Sequence, residues 1–185
     1  MIPHPPAAAA RKEELRALLQ AKRFAEAKAL GEALCREQPQ DAEAWQLLGV
    51  VHGALGEIQA AETCLRKAIE ANPQYFRIYF NLADALRAQG RPAEAIAAYE
   101  QALSLKPDLA EAWNGLGLAR FALGQPEEAA ASIREAVRVR PNFALAYNNL
   151  GFVHGEMNQF DEAVACYREA LRLKPNFSDT HVNLG

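Results

Sequence analysis

Five prolines, Pro39, Pro73, Pro107, Pro141 and Pro175, follow one another at intervals of 34 residues. A chain keeps such a ruler when it builds the same unit repeatedly, and a period of roughly 20–50 residues marks a stacked-repeat architecture. Other columns keep the same period. Ala27, Ala61, Ala95, Ala129 and Ala163 form one; Gly56, Gly90, Gly124 and Asn158 form another, with Lys22 as its odd member. An aromatic residue heads each complete unit, at Trp45, Tyr79, Trp113 and Tyr147. Leu48, Leu82, Leu116 and Leu150 follow three residues later, on the same face of a helix. The next position is small: Gly49, Ala83, Gly117 and Gly151. Together with the alanine column it predicts two helices whose backbones come close together.

The Gly56 column falls between two helical patterns, where a residue in the left-handed conformation ends the first helix. Glu26, Glu94, Glu127, Glu128, Asp161 and Glu162 then fall in the first turn of the second helix, where negative charge complements the helix dipole. Proline stops that helix. Asp108, Asn142 and Asn176, directly behind it, read as N-caps of the next unit.

The order W-x2-L-G-x2-Y, A-x3-F, P resembles the tetratricopeptide repeat (TPR). It is matched by Trp45, Leu48, Gly49, His52, Ala61, Leu65 and Pro73, and by Tyr79, Leu82, Ala83, Leu86, Ala95, Tyr99 and Pro107. Trp113, Leu116, Gly117, Arg120, Ala129, Ile133 and Pro141 match it again, as do Tyr147, Leu150, Gly151, His154, Ala163, Tyr167 and Pro175. The resemblance implies an all-α fold, a right-handed α-solenoid of TPR helix-turn-helix hairpins. Its units are expected over residues 42–75, 76–109, 110–143 and 144–177. Residues 8–41 keep Ala27 and Pro39 but carry Arg11 and Leu15 in the aromatic and small columns, as in a divergent capping hairpin. Residues 1–7 are expected to be flexible, and 178–185 to begin a further, truncated unit. Such an end would leave Val164, Tyr167, Leu171 and Leu184 exposed and favour self-association.

Charge and chemistry narrow the function. A net charge of −3 and a pI of about 5.9 supply no diffuse positive field for nucleic acid or an anionic membrane. No apolar run reaches the ~20 residues of a membrane span, and the first ten residues lack the basic leader and apolar core of a secretory signal. Cys35, Cys64 and Cys166 are odd in number and far apart, which argues against a disulfide framework or a zinc site and for a reducing cytoplasm. Gly115-Leu116-Gly117 runs on to Arg120 instead of the glycine of a dinucleotide fingerprint. His52 and His154 have no HExxH partner and read as inter-helix hydrogen-bonding groups. The expectation is a non-enzymatic protein that needs no cofactor and no metal.

By resemblance to the TPR family, the first helix of each hairpin lines a concave groove that holds a peptide or partner protein. The groove residues so implied are Lys12 and Arg16; Gln46 and Val50; Arg77, Phe80, Asn81 and Asp84; Asn114 and Leu118; Asn148, Asn149 and Phe152; and Asn183. Lys12, Arg16, Arg77 and Asn81 partly imitate the carboxylate clamp of chaperone-binding TPR proteins, with Leu47 where the clamp has its central Asn. Asn81, Asn149 and Asn183 resemble the asparagine ladder of the O-linked N-acetylglucosamine transferase arm, interrupted by Leu47 and Gly115; bonding along the helix and to water is the alternative. Val50, Phe80, Leu118 and Phe152 are expected to form an apolar track beside these amides. A recruitment arm of a larger glycosyltransferase- or sulfotransferase-like enzyme, and a self-assembling scaffold, are the rival readings.

Overall fold

The computed structural model describes residues 5–178 and residue 180, with side-chain surroundings from residue 8 onward. Among these residues the chain forms ten helices and no strand. They are α1 (Pro5–Gln20), α2 (Phe24–Glu37), α3 (Ala42–Ala54), α4 (Ile58–Ala71), α5 (Phe76–Ala88), α6 (Pro92–Leu105), α7 (Ala110–Ala122), α8 (Pro126–Val139), α9 (Ala144–Glu156) and α10 (Phe160–Leu173). The chain divides after Gly90 into two compact units. In the first, α1 pairs with α2 and α3 with α4, while α2 lies on α3 and α4 on α5. In the second, α7 pairs with α8 and α9 with α10, while α6 lies on α7 and α8 on α9. This is the all-α helical-repeat solenoid class that the 34-residue period implies.

The first helix starts at Pro5. Proline suits a first helical turn, whose N–H groups have no intrahelical partner. The expected N-caps fall one residue early: the cap positions of α7 and α9 are Leu109 and Phe143, neither of which makes a side-chain cap bond. Asp108 instead pairs with Lys106 at 3.1 Å. The cap position is filled by a carboxylate at Asp41, which accepts from the backbone N–H groups of Glu43 and Ala44 at 3.0 and 3.1 Å. The proline turn has another anchor. The indole Nε1 groups of Trp45 and Trp113 donate to the carbonyls of Pro39 and Pro107, each at 2.8 Å.

The turn inside each repeat behaves as the column predicts. Gly56, Gly90 and Gly124 have φ of 74°, 69° and 72°, and Lys22 and Asn158 take the same left-handed conformation at 56° and 59°. Lys22 therefore closes α1 as the glycines close their helices, at the steric cost of a Cβ.

Close approach of the paired helices is equally direct. A Cβ at Gly49 would lie 2.8 Å from Leu65 Cγ, one at Gly151 2.7 Å from Tyr167 Cε1, and one at Gly117 2.4 Å from Ile133 Cγ1 and 2.9 Å from the Ala129 carbonyl oxygen. The alanines opposite, Ala61, Ala129 and Ala163, are buried. Around them lie continuous cores: Leu15, Leu34, Leu48 and Val51 in the first unit, and Ile133, Ala136, Leu150 and Val153 in the second. Gly155, by contrast, has nothing within 4 Å of a Cβ. Glycine-to-alanine changes should then have opposite signs. Gly155→Ala should stabilise by about 0.5–1 kcal/mol through helix propensity, whereas Gly117→Ala should destabilise by about 1–3 kcal/mol through overpacking. Urea midpoints at constant slope would check both signs.

Candidate functional site

The first helices carry the expected site residues, and the structure sorts them into three kinds. The first kind is already engaged within the chain. Lys12 Nζ lies 2.9 Å from Asp41 Oδ2 and 2.7 Å from Glu43 Oε2. Arg16 pairs with Glu43 and with Glu13. Two of the three cations that imitate a carboxylate clamp, Lys12 and Arg16, thus hold carboxylates of their own chain. Burial alone would raise the pKa of Asp41, but the Lys12 ammonium and the backbone N–H groups of Ala44 and Glu43 outweigh it and hold the carboxyl below its usual range. Burial likewise works against the Lys12 ammonium, and bonds to Glu43 and Asp41 more than restore it, raising its pKa. Arg77 is exposed, with its guanidinium carbon 5.8 Å from the Phe76 ring centroid.

The second kind is buried. Gln46, Asn114 and Asn148 share one column of the repeat, and all three are buried. Asn114 accepts from Asn149 Nδ2 at 2.9 Å, and Asn148 accepts from Thr180 Oγ1 at 2.8 Å. Asn114 on α7 thus bonds to α9, and Asn148 on α9 bonds to the chain that follows α10. Phe80 belongs to this column too and is partly buried. Leu47 is core.

The third kind faces open space. In the first unit, Val50 on α3 and Asn81 and Asp84 on α5 line one cleft of about 250 Å³. Gly49 and Gly53 of α3, Ile58, Ala61 and Leu65 of α4, and Ala85 and Ala88 of α5 complete its walls. In the second unit Leu118 on α7 is partly buried and Phe152 on α9 is 39% exposed. Phe152 meets Phe121 edge to face, with ring centroids 5.2 Å apart. Phe121, Gly53 and Ile58 were absent from the residues read off the sequence. Their columns change type from repeat to repeat, so periodicity gives no signal for them. Asn183 lies outside the described residues.

Other reactive groups are occupied or quenched. The Nδ1 atoms of His52 and His154 lie 2.6 Å from Glu57 Oε2 and Gln159 Oε1, tying the end of each first helix to the start of the second, as expected of inter-helix groups. Burial pushes the Cys35 thiol up to about 12 and the Cys64 thiol up to about 11, so both stay protonated at neutral pH. No group of three or more His, Cys, Asp or Glu side chains suited to a metal ion occurs among the described residues. No described helix is long and apolar enough to cross a membrane. At the last hairpin, Tyr167 is buried against Gly151, contrary to the expected exposure, and the exposed apolar residue there is Phe160, at 64%. Leu184 lies outside the described residues.

Hairpins closed by left-handed turns and packed through a small-residue column define a TPR protein, and comparison with known proteins supports that class. Residues 6–181 match the TPR family described as the cilia and flagella-associated protein 70 C-terminal domain, and the chain belongs to that family. A 59-residue stretch, 32% of the chain, is 41% identical to the small glutamine-rich tetratricopeptide repeat-containing protein 2 of Saccharomyces cerevisiae and spans 17% of that relative's length. Among solved structures, MamA superposes with a TM-score of 0.78 at 22% identity, over 88% of this chain and 95% of its own. Pseudomonas aeruginosa pilF gives 0.82 at 20% identity, over 97% and 87%. YrrB, described as a TPR protein with an unusual peptide-binding site, gives 0.75 at 18% identity, over 93% and 89%. These likenesses concern the fold.

The Asp41 environment fixes a pH dependence. Its native pKa is depressed, so the Lys12 pair contributes fully above the unfolded value of about 4 and is lost as the pH falls through the lower native value. Asp41→Asn keeps a capping side chain and removes the charge. It should cost about 1 kcal/mol or less at neutral pH, where the pair is partly screened by solvent. Denaturation of both proteins between neutral and strongly acidic pH should show the difference shrinking only below about pH 4.

Proposed function

We propose that the chain is a non-enzymatic interaction module that holds a peptide or a partner protein on the exposed faces of its first helices. The observation that carries this reading is the aromatic pair of the second unit: Phe152, 39% exposed and stacked edge-on against Phe121, with Leu118 in the same repeat column one hairpin earlier. A large apolar side chain left open to water on a packed helical scaffold is a ready anchor for an apolar ligand group. The peptide-binding description of YrrB, a protein of like fold, supports the same mode. Asn149, partly buried, donates one amide N–H to Asn114 and keeps its side-chain oxygen as an acceptor suited to the backbone of a bound peptide. Lys12, Arg16, Asn114 and Asn148 take part as scaffold, because their polar groups serve contacts within the chain, and Gln46 is buried in the same repeat column as Asn114 and Asn148.

Twelve-residue peptides selected from a random display library on the immobilised chain provide ligands for the test. Phe152→Ala should weaken them by about 1–3 kcal/mol, roughly ten- to a hundredfold, while the exposed second-helix change Arg138→Ala leaves them unchanged. Loss confined to Arg138→Ala would place the binding face elsewhere. Affinity should vary little with salt, since the anchors are apolar and no phosphate backbone is neutralised.

A second reading, self-association, is favoured by Phe160, whose ring is 64% exposed at the start of α10. Sedimentation should then show a mass that rises with concentration and falls back towards the monomer in Phe160→Ser.

A further inference from the structure

Phe160, at the start of α10, is the most exposed large apolar side chain among the described residues. Asp161 and Glu162, which follow it, are exposed carboxylates with no ion-pair partner among the described residues. The first unit offers a space of matching kind. A cleft of about 250 Å³ lies between α3, α4 and α5, walled by Val50, Ile58, Ala61, Leu65, Ala85 and Ala88, with the Asn81 amide also in its lining. Asp84 lines it too, but is already engaged within the chain and takes no part. A Cβ at Gly53 would have nothing within 4 Å, which shows how open this wall is. An apolar cavity of roughly 150 Å³ is enough to take up benzene, so a phenyl ring has room here.

The second unit shows which group this place in the repeat accepts. Gly53 and Phe121 are 68 residues apart, as are Asp84 and Phe152. There the chain supplies a ring of its own, Phe121, which meets Phe152 edge to face with centroids 5.2 Å apart. The first unit has the same place without the ring. Charge points the same way. Arg87, exposed on α5 one residue before Ala88, has no ion-pair partner among the described residues, and it supplies the cation that the two carboxylates beside Phe160 lack.

We infer that the cleft of the first unit receives Phe160 from a second copy of the chain. The inference rests on the self-association reading above and names the surface that meets the ring. One copy gives the ring and the other the cleft, so the two contacting patches are different. Loss of either patch should therefore break the contact, and a chain that lacks only one should complement a chain that lacks only the other.

The test is sedimentation equilibrium of the chain, of Phe160→Ser, which removes the ring, and of Gly53→Leu, which fills the cleft. The unaltered chain should gain mass with concentration, and each variant alone should associate about tenfold more weakly or worse. Mixed in equal amounts, the two variants should form a one-to-one dimer, because Phe160→Ser keeps its cleft and Gly53→Leu keeps its ring. Gly53→Leu that associates as well as the unaltered chain, while Phe160→Ser does not, would overturn the inference and leave self-association standing, as through a ring-to-ring contact. Variants that fail to complement each other would overturn it as well. An unaltered chain that stays monomeric at every concentration would overturn both the inference and the reading it rests on. Ala88→Glu, at an exposed position of the cleft wall, should behave as Gly53→Leu does and keeps the test decisive should Gly53→Leu fail to fold.

Discussion

The hairpins α3–α4, α7–α8 and α9–α10 depend on one contact, the meeting of a small residue on the first helix with the second helix beside it. At Gly49, Gly117 and Gly151 the space for a Cβ is already taken by Leu65, Ile133 and Tyr167. Backbones this close bring buried alanines such as Ala61, Ala129 and Ala163 into the seam and let the large side chains around it close over both helices. The left-handed turn serves the same contact. It reverses the chain within a few residues, so the two helices begin side by side, and even Lys22 accepts the strained conformation to do so.

Because the contact recurs every 34 residues, the scaffold was legible in the sequence. Proline, alanine, aromatic and turn columns named the hairpins, their order and their close seams. Helix ends were read less well. Asp108 and Asn142 looked like caps by residue type, yet the turn after proline is one residue longer than that reading allowed, and Leu109 and Phe143 take the cap positions. The indole bonds of Trp45 and Trp113 to the proline carbonyls show what helps to hold that longer turn.

The site was legible only in part, for a related reason. A helix wheel places Asn114, Asn148, Asn149 and Phe152 near one another, but it cannot say which of them the rest of the chain covers. The structure buries Asn114 and Asn148 and leaves Phe152 open. In the same way Lys12 and Arg16 looked available, and only tertiary contact brings Asp41 and Glu43 against them. Individuality sits where the period breaks. Gly53 against Phe121, and Asp84 against Phe152, give one unit a cleft and the other an aromatic ridge on equivalent scaffolds.

The central claim, that partners lie on the first-helix faces, is tested most directly by carbene footprinting of the chain with and without a saturating selected peptide. Masking at Val50, Leu118 and Phe152, with no change at Lys67, Arg138 and Arg172 on the second helices, is the predicted result. Masking confined to α4, α8 and α10 would contradict it.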